Sequence, residues 1–153
     1  MQPLGILVID DEPVICNACR MILGEAGHRI DHCLTGGEGL HAIARSDYDV
    51  LLLDIKLPDM DGFEILKAVR NKTAGPCVIV MSGLSTMANA LQAMKLGAVD
   101  YLAKPFTEDE LMEAIRKSCQ GRLPAQGVDR IERSPQQPAG NALAGPVPPK
   151  PGK

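Results

Sequence analysis

A parallel α/β sheet covered by helices on both faces is the fold expected of this chain, on three observations. Five short apolar runs alternate with five amphipathic stretches across residues 4–120. The run at 50–53, Val-Leu-Leu-Leu, has no polar position, as in strands buried on both faces. The amphipathic stretches are bounded by helix caps and stops. Such an alternation packs through right-handed crossovers, which bring the carboxyl ends of all the strands to one rim.

The first strand is expected at 4–9, Leu-Gly-Ile-Leu-Val-Ile. A helix follows from Pro13, whose fixed φ suits the first helical position, with an acidic residue ahead of it as cap; it runs to about Ala26, where Gly27 ends it. Residues 29–33 read as a weak strand and 37–45 as a helix with Leu40, Ile43 and Ala44 facing inward. After the strand at 50–53 comes a loop, then a helix over 62–70. Asp61, with Glu64 three residues on, reads as its cap, and Asp59 as another of the same kind. A strand at 77–81, a helix from about Ser85 to Leu96 closed by Gly97, and a strand at 99–103 complete the sheet. Thr107 and Glu110 form a capping box ahead of Leu111 and Ile115 in the last helix.

From Gly121 the composition changes. Seven Pro and five Gly among the last 33 residues exceed the roughly 25–30% that marks low-complexity chain. Leu123, Val128, Ile131, Leu143 and Val147 are too few to repay the entropy of ordering this stretch. The expected organisation is a domain over 1–120 and a disordered Pro/Gly-rich tail over 121–153. Residues 1–120 hold 11 Lys and Arg against 17 Asp and Glu, and an acidic folded part argues against DNA or RNA as its direct partner. No apolar run approaches the roughly 20 residues of a membrane span, and the first run lacks the basic lead of a signal peptide. Five cysteines scattered at 16, 19, 33, 77 and 119 do not outline a disulfide framework. A cytoplasmic location is the expectation.

The rim receives Asp10 and Asp11 after the first strand, Asp54 after the third, Ser82 after the fourth and Lys104 after the fifth. Crowded carboxylates repel unless a proton or cation intervenes. A hard divalent ion with oxygen ligands, magnesium (Mg2+), answers that need. Asp54 ends the most apolar strand, so it should be the most central and most firmly held. A carboxylate so placed can attack phosphorus to give an acyl phosphate, a transfer that rests on positioning and charge neutralisation. Magnesium on Asp11 and Asp54, with Lys104 and the Ser82 hydroxyl, would surround the three phosphoryl oxygens.

Singly, each residue has a plainer reading: Asp11 as a helix cap, Ser82-Gly83 as a turn, Lys104 as a solvated lysine with a buried stem, Tyr101 as a half-buried strand residue. None of these explains why the types gather at strand carboxyl ends, and that conjunction carries the inference. Other candidates are weak. Cys16-Asn-Ala-Cys19 has no second pair, Gly36-Gly37-Glu38-Gly39 lacks the third glycine of a dinucleotide fingerprint at 42, and His28, His32 and His41 share no ligand spacing.

The segments LVIDDEP, LLLDIKLPDMDGFEIL, VIVMSG and AVDYLAKPF resemble the receiver domain of bacterial response regulators, of the single-domain, chemotaxis-regulator-like type, over residues 4–119. Asp54 with Pro58 four residues on and Gly62 eight on, together with Lys104-Pro105 after a strand, carries the resemblance. It implies a flavodoxin-like (βα)5 three-layer sandwich with strand order 2-1-3-4-5. It further implies that Asp54 is the phosphoacceptor, that Asp10 and Asp11 are the magnesium-binding acids, and that the Lys56 carbonyl is the third protein ligand. Ser82 and Lys104 resemble the phosphate-sensing hydroxyl and the neutralising lysine, Tyr101 the switch aromatic, and Lys56 and Leu84 stand where phosphate lifetime is tuned. The Lys104–Pro105 bond is expected to be cis. Ser stands at 82 where Thr is commoner, and the tail stands where an output domain usually follows.

The partners so implied are a histidine kinase or histidine phosphotransfer protein and a downstream protein target, with room for a phosphorylation-dependent homodimer and no role for membrane or DNA. The expectation is a two-component phosphorelay switch that acts only on itself. Three readings compete with it. An Asp-nucleophile magnesium phosphohydrolase needs a second acid two residues after its nucleophile, where Lys56 stands. A flavin-binding domain of similar fold would meet Asp10 and Asp11 where it needs a hydroxyl-rich phosphate loop. The last is a receiver fragment of a regulator that has lost its output domain.

Overall fold

The computed structural model describes residues 2–84, 86–118 and 120. Strands and helices alternate without exception: β1 Gly5–Ile9, α1 Pro13–Glu25, β2 Arg29–Cys33, α2 Gly36–Arg45, β3 Val50–Asp54, α3 Gly62–Arg70, β4 Cys77–Ser82, α4 Met87–Lys95, β5 Asp100–Ala103 and α5 Glu108–Ser118. The five strands form one sheet in the order β2-β1-β3-β4-β5, every neighbouring pair parallel.

The period-2 geometry of the strands divides the core in two. Leu7, Ile9, Leu51, Leu53, Val78 and Val80 face one side, where Ile43, Ile65, Leu66, Val69 and Ala93 bring α2, α3 and α4 against them. Ile6, Val8, Val50, Leu52, Ile79 and Met81 face the other, under Cys16, Cys19 and Leu23 of α1 and Leu111, Ala114 and Ile115 of α5. Every residue of β1 and β3 is buried, which is why neither run contains a polar side chain before its carboxyl end. β2, at the sheet edge, is mostly exposed, and its weak sequence signal follows from that position.

Helix ends follow local chemistry. Gly27 and Gly97 adopt φ of 98° and 105°, left-handed values that terminate α1 and α4 at little cost only for glycine. Thr107 and Glu110 close a reciprocal capping box, with amide-to-side-chain distances of 3.1 and 2.8 Å. The Lys104–Pro105 peptide is cis.

Several expectations are corrected. Ala44 is exposed: α2 buries the line Gly36, Gly39 and Ile43, and Ala44 lies one step of about 100° beyond it, with Leu40 and Ala42 flanking the contact instead. α4 begins at Met87, capped by Thr86, whose hydroxyl accepts from the Asn89 amide at 3.1 Å; the earlier start at Ser85 lies outside the described residues. Asp61 caps α3 through the Phe63 amide, but Asp59 caps a different helix: its two oxygens accept from the Gly36 and Gly37 amides of α2 at 2.8 and 2.9 Å. The acid ahead of Pro13 is Glu12, and its side chain makes no cap bond. The expected tail lies outside the described residues.

Two buried polar side chains anchor the start of β1. The Asp49 carboxylate accepts from the Gly5 amide at 2.9 Å, and His28 Nδ1 accepts from the Leu4 amide at 3.1 Å. Burial lowers the His28 pKa below 6.5, and protonation of Nδ1 would remove the acceptor. The unfolded chain therefore takes up the proton first as pH falls through 6.5, and stability contributed by neutral His28, complete above that value, declines below it. Denaturant titrations at pH 7.5 and 5 should show the native protein losing stability relative to His28→Gln, a difference that cancels the opposite contribution of other groups; equal pH slopes would remove His28 from the account.

Candidate functional site

The order of the sheet reverses between β1 and β3, the place where open α/β sheets bind ligands. Asp10 and Asp11 follow β1 there, and Asp54 is the last residue of β3, paired with Met81. Ser82 closes β4 opposite Ala103, and Lys104 follows β5, its amide bonded to the Ser82 carbonyl at 2.8 Å. Asp54 and Ser82 thus stand within their strands, one residue earlier relative to the rim than the sequence suggests. A cleft of about 740 Å³ opens over them, lined among others by Asp11, Glu12, Asp54, Lys56, Ser82 and Lys104.

One carboxylate oxygen each from Asp10, Asp11 and Asp54 lie within 4.8 Å of one another. Asp10 is fully buried and Asp54 is 5% exposed. Lys104 is the cation in contact, its ammonium 2.7 Å from Asp10 Oδ2, 2.8 Å from Glu12 Oε1 and 3.3 Å from Asp54 Oδ2. Asp10 Oδ1 and Asp54 Oδ1 accept backbone amides, from Glu12 at 2.9 Å and Lys56 at 3.2 Å. Asp10 Oδ2 is buried, and the contact given for it is the Lys104 ammonium at 2.7 Å, a cation it shares with Glu12 and Asp54. Three carboxylates within 4.8 Å of one another, beneath an open cleft and with one ammonium shared between two of them, suit a hard cation. The residues present therefore fit magnesium.

Burial, and then the charge of Asp10, pushes the Asp54 carboxyl up to about 6, against the weaker downward pull of Lys104 and the Lys56 amide. For Lys104, burial opposes the charge, but contacts with Asp10 and Glu12 and the charges of Asp10 and Asp54 outweigh it and hold the ammonium well above the lysine range. The lysine is thus a permanent cation, while the pocket remains short of positive charge.

The structure brings together every residue expected at the rim. Asp11 is exposed at the cleft and belongs to the acidic group, and Lys56 lines the same cleft. Ser82 is buried, and its hydroxyl oxygen accepts from the Leu84 amide at 2.9 Å. Tyr101 is half-buried, its hydroxyl donating to the Leu84 carbonyl at 2.8 Å. Leu84 therefore joins Ser82 to Tyr101 through its own peptide groups, a link the sequence does not reveal. The Glu12–Lys104 pair spans 92 positions and was also missed; its one signal is an acid directly after Asp10-Asp11.

Gly62 has a reason of space. A Cβ there would strike the Asp54 carbonyl oxygen and come within 2.6 Å of Ile55 Cα and 2.8 Å of the Ile55 carbonyl oxygen, all backbone. Its amide also bonds the Ile55 carbonyl at 2.7 Å. Only glycine lets α3 start so close to the end of β3.

Comparison with known proteins gives a consistent result. The family model described as the response regulator receiver domain matches residues 6–116. The transcriptional regulatory protein KdpE of Mycobacterium tuberculosis is 37% identical over 125 residues, 82% of this chain and 55% of its own length. The chain thus spans about half the length of the curated relatives it matches. Among solved structures, a CheY-like response regulator receiver domain protein from Methanospirillum hungatei superposes with a TM-score of 0.72 at 32% identity, covering 76% of this chain and 93% of that one. The BeF3-activated DrrB receiver domain does so with 0.70 at 29%, covering 76% and 97%. No helix among the described residues is long and apolar enough to cross a membrane.

The raised Asp54 pKa is a statement about stability. A carboxyl whose native value of about 6 exceeds its ordinary 3.8 contributes stability that is full below 3.8 and lost as pH rises through about 6. In chelator at pH 7.5, Asp54→Asn should therefore be more stable than the native protein by roughly 1–3 kcal/mol, with the advantage fading toward pH 4. Equal stabilities at pH 7.5 would show that Lys104 already balances the pocket.

Proposed function

The chain belongs to the response regulator receiver domain family, and on that premise we propose that it is a phosphorylation-driven switch whose acceptor is Asp54. The observation that supports this best is the setting of Asp54: nearly buried at the sheet reversal, grouped with Asp10 and Asp11 and in contact with the Lys104 ammonium. Asp10, Asp11 and Asp54, with the Lys56 carbonyl, would hold magnesium, which when bound supplies the charge that lets a phosphoryl group approach three acids.

The residues of the chain do the rest. A carboxylate oxygen of Asp54 forms a bond to phosphorus as the bond to the donor's leaving group breaks, a phosphohistidine nitrogen being the donor atom in the partner we propose, and that nitrogen takes a proton. Lys104 pairs with a phosphoryl oxygen, and its permanent charge needs no proton bookkeeping. The Ser82 hydroxyl exchanges the Leu84 amide for another phosphoryl oxygen. That exchange frees Leu84, and with it the anchor of the Tyr101 hydroxyl.

The surface altered is apolar. Leu84, bonded to Tyr101 through its carbonyl, and Met87, Leu91 and Met94 of α4 are 52, 75, 57 and 47% exposed, and exposed apolar side chains so grouped mark a protein contact. We assign it to a downstream protein target or a second copy of the chain, and the acceptor side to a histidine kinase or phosphotransfer protein, in a cytoplasmic pathway. Nothing favours action on a separate substrate, since Lys56 stands where a phosphohydrolase needs its second acid. Residues 121–153 are assigned no part in phosphotransfer.

Labelling with a small phosphodonor and magnesium tests this. Native chain, and a chain ending at Gln120, should each gain one base-labile phosphoryl group; Asp54→Asn should gain none. Ser82→Ala should label but shift the amides of α4 and β5 far less. Undiminished label in Asp54→Asn, or amide shifts confined to the rim in the native chain, would sink the acceptor or the switch respectively.

A further inference from the structure

We propose that Glu12 is a positioning residue that holds Lys104 at the mouth of the pocket and competes for it with any anion carried by Asp54. The proposal rests on the acceptor reading above and adds a residue which that reading does not use.

The Glu12 backbone is fixed on both sides. Its amide donates to Asp10 Oδ1 at 2.9 Å, and its carbonyl accepts from Ile15 and Cys16 at 3.0 and 3.2 Å in the first turn of α1. An acid at this helix position ordinarily turns back to the free amides of the first turn. Glu12 does not: it makes no cap bond and reaches Lys104 instead, although its side chain is 59% exposed.

Lys104 has little freedom, with a side chain only 11% exposed. Its ammonium is shared by three carboxylates, and the contact with Asp54 is the longest of them. Asp10 is buried and cannot withdraw. Glu12 is the exposed partner and the one able to let go. When a phosphoryl-like anion on Asp54 recruits the ammonium, Glu12 loses its partner yet stays at the mouth with its negative charge. Glu12 therefore disfavours the anion-bound state relative to the resting one, by the modest amount expected of a solvent-exposed pair.

The experiment titrates beryllofluoride in the presence of saturating magnesium, and magnesium alone, into native protein, Glu12→Gln and Glu12→Asp, with NMR as readout. Glu12→Gln should bind beryllofluoride about two- to five-fold more tightly at low ionic strength, with the gap closing as salt is raised. Its magnesium affinity should be equal or weaker, because one negative charge has gone. Glu12→Asp, which keeps the charge, should restore most of the native weakness. Tighter beryllofluoride binding without tighter magnesium binding separates this from a merely structural role, since a loosened α1 or pocket would weaken both. Beryllofluoride binding that is unchanged or weaker in Glu12→Gln, with the native protein binding normally, would overturn the proposal and leave the acceptor reading standing. A native protein that binds no beryllofluoride would overturn both.

Discussion

Everything at the rim depends on one imbalance: Asp10, Glu12 and Asp54 share a single ammonium, Asp11 stands beside them, and two of these four acids are out of water. Such an arrangement opposes folding, because buried like charges repel and lose hydration. It persists because the scaffold beneath it is over-determined. Besides Asp54, β1 and β3 contribute nine buried residues, and Asp10 directly follows one of these strands while Asp54 ends the other. Deleting one such aliphatic side chain would cost about 2–5 kcal/mol, comparable with the strain the acids impose. The core thus holds in place what the pocket alone would not tolerate.

The loop after Asp54 is held as firmly as the strand before it. Gly62 lets α3 begin against the backbone of Asp54 and Ile55, and Asp61 caps that helix. Asp59 then crosses to cap α2 at Gly36 and Gly37, with the Met60 side chain filling the space a Cβ at Gly36 would need. The segment carrying Lys56 is therefore pinned at both ends to separate helices. A divalent ion coordinated partly by backbone needs its ligands placed before it arrives, since magnesium demands near-ideal geometry.

The fold was legible because burial wrote it plainly. Val50 to Leu53 could only be a strand covered on both faces, and the glycines at 27 and 97 could only be stops. The rim residues were legible for a related reason, since chain order and crossover handedness alone bring strand ends together. What stayed hidden depends on side-chain direction across long separations. Ala44 was misplaced because the helix phase is set by Gly36 and Gly39 packing against Met60 and Ile9, which hydrophobicity does not report. Asp59 is a helix cap, as its residue type suggests, but the helix it caps begins 23 positions earlier, which local sequence does not report. Glu12 looked like a cap because local propensity says so, and the lysine that claims it lies at the far end of the domain.

Leu84 shows how charge at the rim can become a change of shape. Its amide and its carbonyl are committed to different masters, the Ser82 hydroxyl and the Tyr101 hydroxyl, with the Asn89 side-chain amide also reaching the carbonyl at 3.2 Å. A ligand that draws the Ser82 hydroxyl away takes one of these bonds and weakens the geometry of the others. Each is worth about 1 kcal/mol, so the resting arrangement is preferred only modestly. In the proposed switch, an anion that draws the Ser82 hydroxyl has only that modest preference to overcome. The population would then shift by that anion's differential affinity for the two arrangements, and the apolar surface around Leu84 would report which one is present.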